Sequence, residues 1–360
     1  MAFFYRILVL NIGSTTTKVA FFENDRLKFQ ETIDYVSQQL RSITDYMEQF
    51  PLRKEGIEGF LAKHQIELSK LHMIVSRGGL TAPLSSGVYL VDEGMCEDLR
   101  SGKYGQHPTN LGPLIAHDLA KQASIRAVIV DSPSIDEYQP LARVSGIPEI
   151  QRKSAFHALN QKAAARRAAD EMGVRYENTN MVVAHLGGGV TIGAHRKGRV
   201  IDSTLGVGEG PMTPERAGTL PTMDLLRLVE SGKFSLADLR RRLTSQGGLF
   251  AYLGTNDVSQ VEAKIRKGNE KASLIMEAMA YQIAKDIGAM STVLNGQVDA
   301  IILTGGLANC PKLVDRITKR VKFIAHVKLY PGENEMLALA QGSLRVLSGT
   351  ESVKHYSPPG

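Results

Sequence analysis

The sequence has little cysteine and no long apolar run, and each scarcity closes off a class of protein. Its two cysteines, Cys96 and Cys310, lie far apart and in no metal-ligand or redox spacing. A disulfide framework is therefore not expected, a reducing compartment is the default, and both thiols read as small buried hydrophobes. No apolar stretch reaches membrane-spanning length. The N-terminal run Phe3 to Leu10 is broken by Arg6 and enters a Gly-Ser turn, which predicts a buried first strand in place of a signal peptide. Cytoplasm is the compartment these absences point to. Low-complexity linkers are missing as well, and so are blocks of like charge. The one compact basic cluster, Arg240 to Arg242, sits in a short amphipathic stretch and reads as a solvated helix face. With the other basic residues scattered, the net charge of +6 suits an enzyme handling anionic phosphates, and neither nucleic acid nor membrane is an expected partner.

What is present is ordinary globular material: 43% hydrophobic and 22% charged residues over 360 positions. That length exceeds what one core usually organises, so two domains are expected. The opening reads as an antiparallel meander, with strands at Arg6 to Asn11, Lys18 to Phe22 and Leu27 to Ile33. From Leu71 onward, short apolar runs such as Met73 to Val75 and Ala127 to Val130 alternate with helical patterns such as Leu111 to Lys121. Such alternation marks crossover units feeding a sheet. Ser154 to Met172 reads as a helix stopped by Gly173. The opening pattern then returns, with strands at Met181 to His185, Val190 to His195 and Arg199 to Asp202. A duplicated domain is the implication, although two hairpins form a short repeat. Further strands are expected at Ala300 to Leu303 and Phe323 to Leu329, and a closing helix from Glu335 to Leu347. The domain boundary is placed near Gln151, giving residues 1–150 with 336–360, and residues 151–335.

Three glycine turns and a few charged residues can carry chemistry. In the first hairpin, Asn11-Ile-Gly-Ser-Thr-Thr-Thr-Lys18 lets N–H groups and the hydroxyls of Ser14, Thr15 and Thr16 surround an anion, with Lys18 supplying charge, without the spacing of a P-loop. A plain hairpin of strand-forming threonines is the simpler alternative. Four consecutive hydroxyl residues after a buried strand favour the anion site. His185 precedes Gly187, Gly188 and Gly189, whose backbone is free to approach phosphates. Gly305 and Gly306 follow an apolar strand, at the strand end where open α/β sheets bind ligands. Arg77 and Arg216 stand in glycine-containing loops, where a guanidinium fork can grip a carboxylate or a phosphoryl group, and Asp131 ends an apolar strand. For each of the three, taken singly, a surface ion pair is the better explanation.

In this order the motifs resemble the acetate and butyrate kinase family, a branch of the actin, Hsp70 and sugar-kinase superfamily. NIGSTTTK resembles the family's N-x-G-S-S-S-x-K, HLGGGV its H-L-G-N-G, LTGGLAN its T-A-G-I-G-E-N and NEMLALA its N-E-E-L-M-I-A. DSTLGVGEGPMTPERAGTLP resembles the segment ending in G-T-R-x-G-D. The resemblance runs from about Arg6 to Leu347. It implies an α/β fold of duplicated ribonuclease-H-like, actin-like ATPase domains about a central cleft, at least dimeric in assembly. ATP and Mg²⁺ are the implied cofactors and a small carboxylic acid the acceptor.

Within the family, VSRGG, SAFHALNQKA and GEGPMTPERAGTLP resemble the butyrate branch, so butyrate is the expected substrate, with acetate, propionate or branched acids as alternatives. By the same resemblance Asn11 and Lys18 sit beside the phosphates, and Asn11 and Glu335 serve Mg²⁺. Arg77, Arg216 and His107 bind the acid and the phosphoryl group, Asp131 orients an arginine or the acid, and His157 and His185 face the transferring group. The glycines at 187 to 189 and 305 to 306 line the nucleotide. A rival from another class is a nucleotide switch of the actin or Hsp70 type, against which stands the lack of a second module to receive its motion.

Overall fold

The computed structural model of the chain describes residues 4–35, 43 and 45–358. It separates into two compact units, Met1–Asp136 with Asn334–Gly360, and Glu137–Glu333. The division after Asp136 falls ahead of the expected boundary near Gln151.

In the first unit, β1 (Arg6–Ile12), β2 (Thr16–Glu23) and β3 (Arg26–Asp34) form the expected meander. Phe3, at the head of the expected first strand, lies outside the described residues. Next come α1 (Phe50–Lys63), β4 (Met73–Ser76), β5 (Val88–Leu90), α2 (Glu93–Ser101), α3 (Leu111–Gln122) and β6 (Arg126–Val130). The sheet order is β3-β2-β1-β4-β6-β5, with β1, β4 and β6 parallel. β1 is apolar at almost every position because both its faces are covered, the usual state of a strand inside an α/β sheet. Leu8, Leu10 and Ile12 pack with Leu111, Leu114 and Ile115 of α3 in one core cluster.

The second unit repeats the plan. After α4 (Ala158–Glu171) come β7 (Asn180–Leu186), β8 (Val190–Arg196) and β9 (Arg199–Ser203) as a second meander. Four shorter helices follow: α5 (Thr222–Glu230), α6 (Leu236–Thr244), α7 (Gly248–Leu253) and α8 (Val258–Arg266). Then come the long α9 (Glu270–Val293), β10 (Ala300–Gly305), α10 (Pro311–Val321) and β11 (Val327–Pro331). The order β11-β10-β7-β8-β9 matches β6-β4-β1-β2-β3 of the first unit, strand for strand and with the same parallel and antiparallel pairings. This is the duplicated fold the two hairpins implied.

The chain then returns to the first unit through α11 (Glu335–Leu347). This helix lies close on the sheet at Gly342, where an added Cβ would stand 2.5 Å from Val130 Cγ1. Overpacking at such a contact outweighs the gain in helix propensity that alanine brings. Among the described residues no helix is long and apolar enough to cross a membrane. Arg240, Arg241 and Arg242 are exposed on α6, as expected of a solvated face. Cys96 is fully buried, whereas Cys310 is half-exposed at the head of α10, so only one of the two thiols is a core residue.

Candidate active site

Three elements of the first unit converge on Glu335. The carboxylate sits in the first turn of α11, accepts a 2.7 Å hydrogen bond from Asn11 Nδ2 at the end of β1, and lies 3.7 Å from an Arg77 guanidinium nitrogen just past β4. Asn11 is nearly buried, and Lys18 is its direct cross-strand partner on β2, so the amide and the ammonium share one face of the sheet. Between them runs the turn Gly13 to Thr15, whose Ser14 and Thr15 are exposed. Ser14 Oγ lies 3.3 Å from His107 Nε2, while His107 Nδ1 accepts from the Thr109 N–H. Burial, helped by the charges of Arg77 and Arg53, holds His107 below its ordinary pKa, so it is a neutral hydrogen-bonding group at pH 7. Asp131 takes positive φ after β6, uncommon for a residue with a side chain, and accepts from Ser86 Oγ at 2.6 Å and Gly87 N–H at 3.1 Å.

In the second unit the rings of His157 and His185 stack at 3.8 Å with planes 12° apart. His157 Nδ1 meets Thr191 Oγ1 at 2.8 Å, and His185 Nδ1 donates to Asn160 Oδ1 at 2.8 Å, leaving His185 Nε2 3.2 Å from Glu333. Both rings are thereby fixed in orientation by their other nitrogen.

The turn Gly187 to Gly189 joins β7 to β8, and Thr213 Oγ1 clasps it by donating to Gly188 O at 2.6 Å. Thr213 Oγ1 also accepts from the Arg216 N–H, which curls the Met212 to Gly218 loop back over the turn. Arg216 then lies so close to Gly189 that an added Cβ would stand 2.4 Å from its guanidinium. The guanidinium donates to Gly206 O, yet its Nε is buried without a partner among the described residues. An orphaned, buried charged donor is rare enough to need a ligand or a cost of about 1–3 kcal/mol. Gly305, at φ +90°, packs against the Leu186 backbone where a Cβ would clash at 2.4 Å, so its glycine is required by the fold alone. Gly306 opens into free space.

Residues 146–353 match the model of the acetokinase family. The chain belongs to the acetokinase family. As a member it is a carboxylate kinase, a phosphotransferase that takes its phosphoryl group from ATP. Solved structures similar to this acetokinase-family chain include an acetate kinase from Porphyromonas gingivalis, at 19% identity and TM-score 0.76 over 94% of this chain and 99% of that one. Another is a propionate kinase from Francisella tularensis subsp. tularensis SCHU S4, at 19% identity and TM-score 0.71 over 94% and 98%. A third, an acetate kinase from Entamoeba histolytica, stands at 15% identity and TM-score 0.73 over 94% and 98%. At these identities what is shared is the duplicated fold. The family match begins at residue 146, so Asn11, Arg77 and His107 fall under the fold likeness and outside the family match.

The structure thus gathers Asn11, Lys18, Arg77 and Glu335 at one place in the first unit, with Ser14 joined to His107. In the second unit it gathers His157 with His185, and Arg216 with Gly187 to Gly189. Sequence reasoning missed Glu333 beside His185, Glu215, which an added Cβ on Gly188 would approach at 3.1 Å, and the buried Arg53 beneath the first turn. Glu333 stands two residues from Glu335 in a run rich in acid and amide, a signal that was there to use. The other two become visible only when the chain folds back on itself.

Proposed function

We propose that this carboxylate kinase phosphorylates butyrate, with the Mg²⁺ complex of ATP as donor, giving butyryl phosphate and ADP. The observation that carries the reading is the meeting of one amide, one carboxylate and one guanidinium at Asn11, Glu335 and Arg77 beside a hydroxyl-rich turn. A single carboxylate with a neighbouring amide oxygen is the sparse donor set that suits Mg²⁺, which keeps most of its waters and leans on substrate phosphates. Bound there, Mg²⁺ would neutralise charge on the polyphosphate.

The chain's own residues do the rest. Asn11, Ser14, Thr15, Thr16 and Lys18 hold the phosphates, as do the backbone N–H groups of Gly188 and Gly189, while the Gly187 N–H closes the turn on Gly189 O, and Gly305 with Gly306 borders the adenosine. Arg77 and Arg216 bind the carboxylate and the phosphoryl group, His107 helps to seat the acid, Asp131 orients an arginine or the acid, and His157 and His185 face the transferring group.

The reacting carboxylate already bears the nucleophilic oxygen. One of its oxygens forms the new P–O bond, the bond from the terminal phosphorus to the ADP oxygen breaks, and no proton moves. Without a proton to transfer, catalysis reduces to alignment and charge neutralisation. The resemblance of GEGPMTPERAGTLP to the butyrate branch supports butyrate over acetate. The family resemblance supports a homo-oligomer as the working enzyme, and a sedimentation mass of one chain would count against that.

The test is a ladder of acids from acetate through propionate, butyrate and isobutyrate to valerate, with the acyl phosphate trapped by hydroxylamine. We expect kcat/KM to peak at butyrate. A peak at acetate or propionate would reject the butyrate assignment and leave the carboxylate kinase.

A further inference from the structure

The first unit contains an arginine with no exposed surface at all. Arg53, on α1, spends its five N–H donors on five hydrogen bonds: Nε and Nη2 to Gln49 Oε1, Nη1 to Thr16 O and Thr17 Oγ1, and Nη2 to Ser14 O, all between 2.8 and 3.1 Å. Every acceptor is neutral. Among the described residues Arg53 forms no ion pair, and the Tyr35 ring lies 5.0 Å from its guanidinium carbon. Arginine does not shed its proton in a protein, so a whole positive charge lies buried against neutral groups. Unpaired burial of that kind is expensive, and a fold that needed only a brace could use a neutral side chain.

The direction of the bonds says what the expense achieves. In a planar trans peptide the N–H points opposite to the C=O. Drawing the Ser14 carbonyl inward therefore turns the Thr15 N–H outward. The N–H groups of Ser14 and Thr15 make no hydrogen bond among the described residues, and both residues are exposed. Gly13 N–H closes the turn by donating to Thr16 O, the same oxygen that Arg53 holds. Consecutive unspent N–H groups on exposed residues over a buried cation are what a backbone nest offers an anion.

We propose that Arg53 is the positioning residue of this anion site: it fixes the Gly13 to Thr16 turn from below with its N–H groups outward, and its uncompensated charge is answered by the nucleotide's polyphosphate. The assignment rests on the reading of this turn as the phosphate site. It does not depend on which acid is phosphorylated.

Two variants separate this role from mere bracing. Gln49→Glu keeps the acceptor oxygen that holds the guanidinium and supplies the missing carboxylate, so it preserves the turn while cancelling the charge. We expect it to fold with its thermal midpoint maintained or raised, and to bind ATP and ADP roughly ten- to a hundredfold more weakly, the scale of one charge-assisted hydrogen bond, with adenosine binding unchanged. Arg53→Lys keeps the charge but loses the fork, and the same ranking of nucleotides is expected with faster amide exchange at Ser14 and Thr15. Either variant, folded and binding ATP as wild type does, overturns the proposal. In the wild-type chain the Ser14 and Thr15 amides must gain exchange protection when ADP binds, and unchanged exchange there overturns it too. Should wild type make no acyl hydroxamate from any acid while Gln49→Glu still weakens ATP, the butyrate kinase reading fails and the role of Arg53 stands.

Discussion

Among single residues, Arg216 shows most clearly how the chain prepares for a ligand. Its backbone is locked by Thr213, its guanidinium is held over Gly189 by Gly206 O, and one buried donor is left unspent. We expect Arg216→Ala to lower kcat by about 10²–10³-fold, comparable to removal of an oxyanion donor, with the melting midpoint little changed. Gly189→Ala tests the same site from the other side. The backbone there tolerates alanine, but the new methyl would stand 2.4 Å from the guanidinium, so Arg216 must move and turnover should fall in the same direction. Steady-state kinetics beside a thermal melt check both, and a near-wild-type rate for Arg216→Ala rejects its assignment. Residue types and glycine turns made Asn11 and Arg216 legible in the sequence, because each sits in a short motif with a local chemical reason, whereas Glu335 entered only through the resemblance of NEMLALA to the family's motif. Arg53 and Glu215 have no such neighbourhood; their partners come from elsewhere in the chain.

Elements were legible wherever their period was long and their ends well marked. α11 begins and ends where its pattern does, and β7 and β8 agree within two residues. The expected helix from Ser154 instead starts at Ala158, since His157 is held by Thr191 and the residues before it are not helical. The expected strand from Phe323 starts at Val327, because α10 runs to Val321 and the chain must turn before it can pair with β10; Phe323 is left 84% exposed. α9 carries Asp286, whose carboxyl burial pushes up from 3.8 to about 6. The native chain therefore keeps this proton over a range in which the unfolded chain has lost it. Stability from this group is present below the unfolded pKa and is lost as pH rises from about 4 to about 6. Asp286→Asn should remove that decline and stabilise the protein at pH 7 and above by on the order of 1 kcal/mol, solvent screening included. Chemical denaturation across pH 4 to 8 measures it, and equal stabilisation at both ends would contradict the cause.

On the scale of the whole molecule, the duplication was readable from two hairpins because a glycine turn between apolar strands recurs in each half, a short signal that the matching strand orders of the two sheets bear out. The division of the chain was less so: no composition change marks the passage from Asp136 to Glu137. Each unit carries its own sheet and core, and each is of a size for which about 1 kcal/mol moves the melting midpoint by about 2–4 °C. A ligand at a hundred times its Kd adds about 2.7 kcal/mol to the form that binds it. ATP with Mg²⁺ at that level should therefore raise the midpoint by about 5–10 °C. If Glu335 and Asn11 serve the metal, chelation by EDTA at the same ATP concentration should remove much of the rise, because two anions, the carboxylate and the polyphosphate, would then face each other without a cation between them. Glu335→Gln removes one of those anions. Its rise with ATP should be smaller than wild type's when Mg²⁺ is present and should change little on chelation. A wild-type shift indifferent to EDTA would take the metal away from Glu335 and leave that carboxylate as the partner of Asn11 and Arg77 alone.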